Sequence, residues 1–173
     1  DTTGSSGTSG QVLASTIAAT QWVSPLLNTS GARQISVSVD FNELGNLATT
    51  PKQLIASPGV GKVIEVLSVA FKYTFNTTVY DFTSYLVVCA DGFIGNTDAI
   101  QSGFKETLIN GASDVLIGNQ NGVNLGFGGQ SIVENTALVL GTPGIDPTQG
   151  DGNLRLNIIY RILNVSNMTV DIT

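Results

Sequence analysis

TTPKQLIASPGVGKVIEVLSVAFKYTF, residues 49–75, decides how the chain is read. It is a Pro/Gly turn running into one long strand. From Val63 the odd positions are Val63, Glu65, Leu67, Val69, Phe71, Tyr73 and Phe75; the even ones are Ile64, Val66, Ser68, Ala70, Lys72 and Thr74. The odd face is almost wholly apolar and the even face is mixed, the period of two of a half-buried strand. At roughly 3.3 Å per residue the strand would extend about 40 Å, which predicts a bend or bulge within it. Glu65 is the one charge on the apolar face, and its expected partner is a Lys or Arg near the strand end.

The same stretch imitates a phosphate-binding loop at Gly61-Lys62. That loop requires a Gly five positions before Gly61 and a Ser or Thr after Lys62, and the chain has Ala56 and Val63 there. Without the first glycine the amides do not form a cradle, and without the hydroxyl there is no magnesium ligand. Pro58-Gly59 is therefore read as a turn that sets the register of the strand.

Charged residues make up 12% of the chain, and the net charge is −6 with seven scattered Lys and Arg. Nucleic acid is not an expected partner, because phosphate contacts need clustered cations. No apolar run is long enough to span a bilayer, so no membrane partner is expected either. The single cysteine, Cys89, lies in an apolar run and reads as a small buried hydrophobe. Glycosylation sequons at Asn28, Asn76, Asn164 and Asn167 are no more than this Asn-, Ser- and Thr-rich composition produces by chance. The chain begins without Met, and the expectation is of a trimmed or processed piece.

Two parts are predicted: residues 1–30, a flexible leader followed by an apolar arm, and residues 31–173, a β-sandwich domain. Residues 1–10, DTTGSSGTSG, have nothing to bury. Leu13, Ile17, Trp22, Val23, Leu26 and Leu27 follow neither helical nor strand spacing. An apolar, unpatterned segment either packs on its own domain or lies in extended form across another surface. These six residues are the candidate partner contacts.

Beyond the arm, Ile35, Val37, Val39 and Phe41 alternate with polar residues, and Tyr80 and Phe82 alternate into Tyr85, Val87 and Cys89 of the apolar run 85–90. Further strands are predicted within 118–129, over 132–140, over 154–163 and over 168–172. Ile100, Phe104 and Leu108 recur every four residues between Thr97 and Asn110-Gly111, which predicts one short helix there. Residues 141–152 are a long turn-rich loop. The whole reads as all-β: an antiparallel, jelly-roll-like β-sandwich with one short helix and an extended N-terminal arm.

The chain has no histidine, which removes the commonest general base and, with the lone cysteine, histidine- and thiolate-based metal sites. Glu65, Glu106 and Glu134 show no pattern of a paired-carboxylate sugar cleft. Asp91, Asp98, Asp146 and Asp151 lack the spacing of a calcium loop and are read as turn residues. No enzyme activity, cofactor or metal is expected.

TTPKQLIASPGVGKVIEVLSVAFKY (49–73), VYDFTSYLVV (79–88), TALVL (136–140) and GDGNLRLNIIYRIL (150–163) stand in an order that resembles small β-sandwich proteins among the structural genes of tailed bacteriophages. These include head decoration (cement) proteins and capsid fibres. The resemblance covers residues 49–163 and implies a jelly-roll-like sandwich, no catalysis, and a homotrimer on the outer capsid surface over junctions between major capsid protein subunits. The alternative is a receptor- or glycan-binding module of a fibre or tail, using loop aromatics such as Tyr80, Phe82 or Phe127.

Overall fold

A computed structural model describes residues 12–15, 20–23, 31–96, 100–120 and 132–171, with backbone alone for 12–15, 20–23, 119 and 120. The chain divides into two units, residues 1–30 and 31–173. In the first, β1 (Val12–Ser15) and β2 (Thr20–Val23) pair antiparallel, with Leu13 opposite Trp22 and Val12 opposite Val23.

The second unit contains β3 (Arg33–Val39), α1 (Phe41–Leu44), β4 (Lys52–Ile55), β5 (Lys62–Thr74), β6 (Leu86–Ala90), β7 (Ile100–Phe104), β8 (Val115–Gln120), β9 (Leu138–Gly141) and β10 (Asn153–Asn164). Two four-stranded sheets have the orders β3-β10-β5-β8 and β4-β9-β6-β7. The pairs β6–β7, β5–β8, β4–β9 and β3–β10 are nested antiparallel pairs, the pattern of one long hairpin doubled over. The pairs β5–β10 and β6–β9 then join the folded halves. This is the eight-stranded jelly roll.

Its core takes Val39, Val69, Phe71, Leu154, Leu156 and Ile158 from the first sheet and Leu54, Leu86, Val88, Phe104, Leu138 and Leu140 from the second. The second sheet is buried on both faces. Val87, Cys89, Ile100 and Val139 form a separate cluster against Tyr85 and Ile94, which is why the run Leu86–Ala90 shows no polar alternation.

The predicted irregularity of the long strand lies at Leu67. Ser68 pairs with Ile159 and Val66 with Tyr160, so Leu67 is an extra residue in β5. One inserted residue moves every side chain beyond it to the opposite face. Val69, Phe71 and Tyr73 point to the core from odd positions, whereas Ile64 and Val66 do so from even ones. The uniform odd face read from the sequence is thereby corrected. Glu65 moves outward and pairs with Arg161, its cross-strand neighbour.

A second bulge overturns the expected helix over 97–110. Residues Ile100–Phe104 are β7, a strand with Gln101 inserted between the pairs Cys89↔Ile100 and Val88↔Ser102. Ile100 and Phe104 consequently enter different clusters, so their four-residue spacing marks no common face. Leu108 ends a 3-10 turn, Glu106–Leu108. Gln101 is buried, and its Oε1 accepts the Val66 N–H at 2.9 Å, so the bulged region of one sheet is tied to that of the other.

The α-helix instead follows β3, where the sequence reading ran the strand on to Phe41. Asp40 caps it, accepting the Glu43 N–H at 3.0 Å while Glu43 accepts the Asp40 N–H at 3.2 Å. The predicted strand over 132–140 begins only at Leu138, because Glu134 and Asn135 turn, Asn135 with φ 48°. At the C-terminal end, a lone bridge Leu163↔Val170 replaces the strand expected over 168–172.

Tyr80 and Phe82 lie in the connection between β5 and β6 and are sunk into the core, with the Tyr80 hydroxyl donating to the Gly152 carbonyl at 2.9 Å. Tyr73 is equally buried, but its hydroxyl has no hydrogen-bond partner among the described residues. Tyr73→Phe is therefore expected to leave stability unchanged or raise it by up to about 1 kcal/mol in guanidinium unfolding. A loss of more than that would show that the hydroxyl is bonded.

Candidate functional site

The loop that imitates a phosphate cradle is filled by the protein's own side chains. Gly59 and Gly61 adopt positive φ, at 100° and 75°, and turn their N–H groups toward the β9 side. Asn135 Oδ1 accepts from Gly59 at 3.1 Å, and Glu134 Oε1 accepts from Gly61 at 2.6 Å. A phosphate would have to displace a carboxylate to reach these amides. Lys62, the apparent phosphate-binding lysine, pairs with Asp171 at 2.5 Å.

These bonds make the loop a fixed tip. The Val165 N–H donates to the Gly61 carbonyl at 2.8 Å, joining the tip to the turn after β10. Val60 is 83% exposed there, and that turn presents Met168 at 66% and Val165 at 43%. Three exposed apolar side chains thus lie on two hydrogen-bonded segments, a feature that the sequence reading does not single out. Its signal was present: Val60 lies between two glycines in a turn, where no core position is available.

Of the six predicted contact residues, Leu13 lies in β1 and Trp22 and Val23 in β2, with their side chains outside the described set. Ile17, Leu26 and Leu27 lie outside the described residues. The aromatics assigned to a glycan-binding alternative are corrected in part. Tyr80 and Phe82 are core residues, unable to stack on a sugar, and Phe127 lies outside the described residues.

Cys89 is fully buried, and burial followed by the charge of Asp91 pushes its thiol up to about 12. It stays protonated and unreactive at neutral pH. Glu43 pairs with Lys52 at one side of an open hollow of about 470 Å³ between α1 and β4.

The loop aspartates act as clasps. Asp146 accepts the Ala48 N–H at 2.6 Å. Asp151 accepts the Thr77 hydroxyl at 2.5 Å and the Thr78 N–H at 2.8 Å, and Asp81 accepts the Thr148 hydroxyl at 2.5 Å and its N–H at 2.8 Å. Asp91 sits at the turn after β6, and Asp98 lies outside the described residues. The Thr77 hydroxyl, then the Thr78 and Thr77 amides, hold the Asp151 carboxyl below the ordinary range; the Thr148 hydroxyl does the same for Asp81.

A depressed native pKa means that the unfolded chain binds more protons in acid. The clasps therefore stabilise fully above the ordinary carboxylate range, near pH 4, and lose their effect as pH falls through the depressed native values. Asp151→Asn is expected to flatten the decline of the melting midpoint below about pH 4. Parallel curves for variant and wild type would contradict the clasp.

No family model matches the chain, and no curated protein matches it. Among solved structures, the cyanophage Pam1 capsid asymmetric unit is similar at a TM-score of 0.40 and 18% identity, over 75% of this chain and 81% of that one. A likeness of that strength assigns neither fold nor function.

Proposed function

We propose that the chain is a structural virion protein without catalytic activity, which binds the outer surface of a bacteriophage capsid and stabilises the shell as a decoration or cement protein. The observation that carries this reading is the strand order β3-β10-β5-β8 over β4-β9-β6-β7, the eight-stranded jelly roll of many viral shell proteins. This is an analogy of fold, and the sequence resemblance to phage structural proteins supports it independently. Residues 1–30, a separate unit carrying Leu13, Ile17, Trp22, Val23, Leu26 and Leu27, supply an arm toward the major capsid protein. Assembly as a homotrimer would repeat that contact and add avidity.

Brief protease treatment of intact particles tests the location. An outer-surface protein is released or clipped while the shell and its genome stay intact. Full protection, with cleavage only after the shell is opened, would overturn the outer placement.

A further inference from the structure

Lys72 and Arg155 stand directly opposite each other on β5 and β10, the two central strands of the first sheet, and both are exposed. Like charges placed directly across a ladder destabilise a sheet. Among the described residues, Lys52, Lys62 and Arg161 each have a carboxylate partner in an ion pair, whereas Lys72 and Arg155 have none. In a chain of net charge −6, two of the seven cations are thus set side by side with neither engaged in an ion pair among the described residues.

They border a hollow of about 170 Å³ lined also by Ser38, Asp40, Thr74 and Asn153. Ser38 is the β3 neighbour of Arg155, and Asn153 pairs with Thr74, so hydroxyl and amide donors surround the two cations. Directly opposed Cβ atoms lie about 5 Å apart, within which one carboxylate can meet both heads, Arg155 offering its planar fork.

We propose that this hollow receives a carboxylate side chain from an acidic segment of a partner protein. Size and charge select that ligand. The hollow is well below the ~300 Å³ at which small-molecule pockets begin, so a nucleotide or sugar phosphate is too large. With Asp40 in the same lining as the two cations, the hollow carries a net formal charge of +1, which matches one carboxylate and disfavours a multiply charged phosphate. The contact does not depend on the partner being a shell protein.

Amide NMR spectra of the full chain in low salt, titrated with hexaglutamate, test the proposal. Saturable shifts confined to Ser38, Lys72, Asn153, Arg155 and their neighbours are expected. Lys72→Gln and Arg155→Gln should each weaken them about tenfold, the size of one charge-assisted contact. Both variants should melt at or above the wild-type temperature, because the opposed charges are relieved. Absence of localised shifts, undiminished binding in either variant, or a lower melting temperature of both would overturn the proposal. Tighter binding of tripolyphosphate than of hexaglutamate would overturn the carboxylate as its source.

Discussion

Deleting residues 1–30 is expected to reduce occupancy on preassembled shells by about tenfold or more while the remaining sandwich keeps its melting temperature within a few degrees. Residues 1–30 and 31–173 are separate units, and the jelly-roll core draws on residues from Val39 to Ile158. The energetics favour an arm as the contact. Stable interfaces bury about 1,200–2,000 Å² in total. In residues 1–30, β1 and β2 pair as a hairpin, which corrects the expectation of a single extended arm, and the apolar residues there could add area to such a contact. Trp22→Ala is the smaller version, since large aromatics dominate interface energies. It should weaken particle association without changing stability. Unchanged occupancy of the truncated chain would remove the arm and leave the apolar tip at Val60, Val165 and Met168 as the contact.

Phe71→Ala is expected to cost about 3–5 kcal/mol, the largest single-residue loss of stability in the sandwich. Phe71 is fully buried on β5, and its ring meets Phe104 of β7 edge-on at 4.6 Å and 65°, so the pair joins the two sheets. Such a pair contributes about 0.5–1.5 kcal/mol beyond the area it buries. Against a typical total of about 5–15 kcal/mol, the loss is about a fifth or more of the stability. The melting temperature should fall by roughly 10 °C, since each kcal/mol moves a chain of this size by a few degrees. A cost below about 1 kcal/mol in guanidinium unfolding would show that the sheets do not pack through this contact.

The fold class was legible because β5 and β10 alternate clearly over most of their length. The helix was misplaced because both sequence signals were local. The spacing of Ile100, Phe104 and Leu108 mimics a helical face only when the inserted Gln101 is unknown, and an insertion becomes visible only through its partner strand β6. The cap Asp40-Phe41-Asn42-Glu43 was readable, but Phe41 continued the alternation of β3 and hid it. Glu65 was rightly assigned a basic partner, although the reason lies in the bulge at Leu67 and not in the strand end. The Lys72–Arg155 pair was out of reach for the same reason as every cross-strand feature: 83 positions of sequence separate residues that register places opposite each other. The Gly61-Lys62 step, rejected as a phosphate site on two missing residues, is closed for a second reason that only the structure supplies, the Glu134 carboxylate on the Gly61 amide.

The most direct measurement is rebinding of the purified full chain to shells that lack it, read by co-sedimentation and by density on the particle. Saturable binding to the outer surface at fixed stoichiometry and a higher temperature of shell rupture are expected. Full-length protein that stays in the supernatant and leaves rupture unchanged, while adsorbing to host cells or to glycans, would contradict the proposed role.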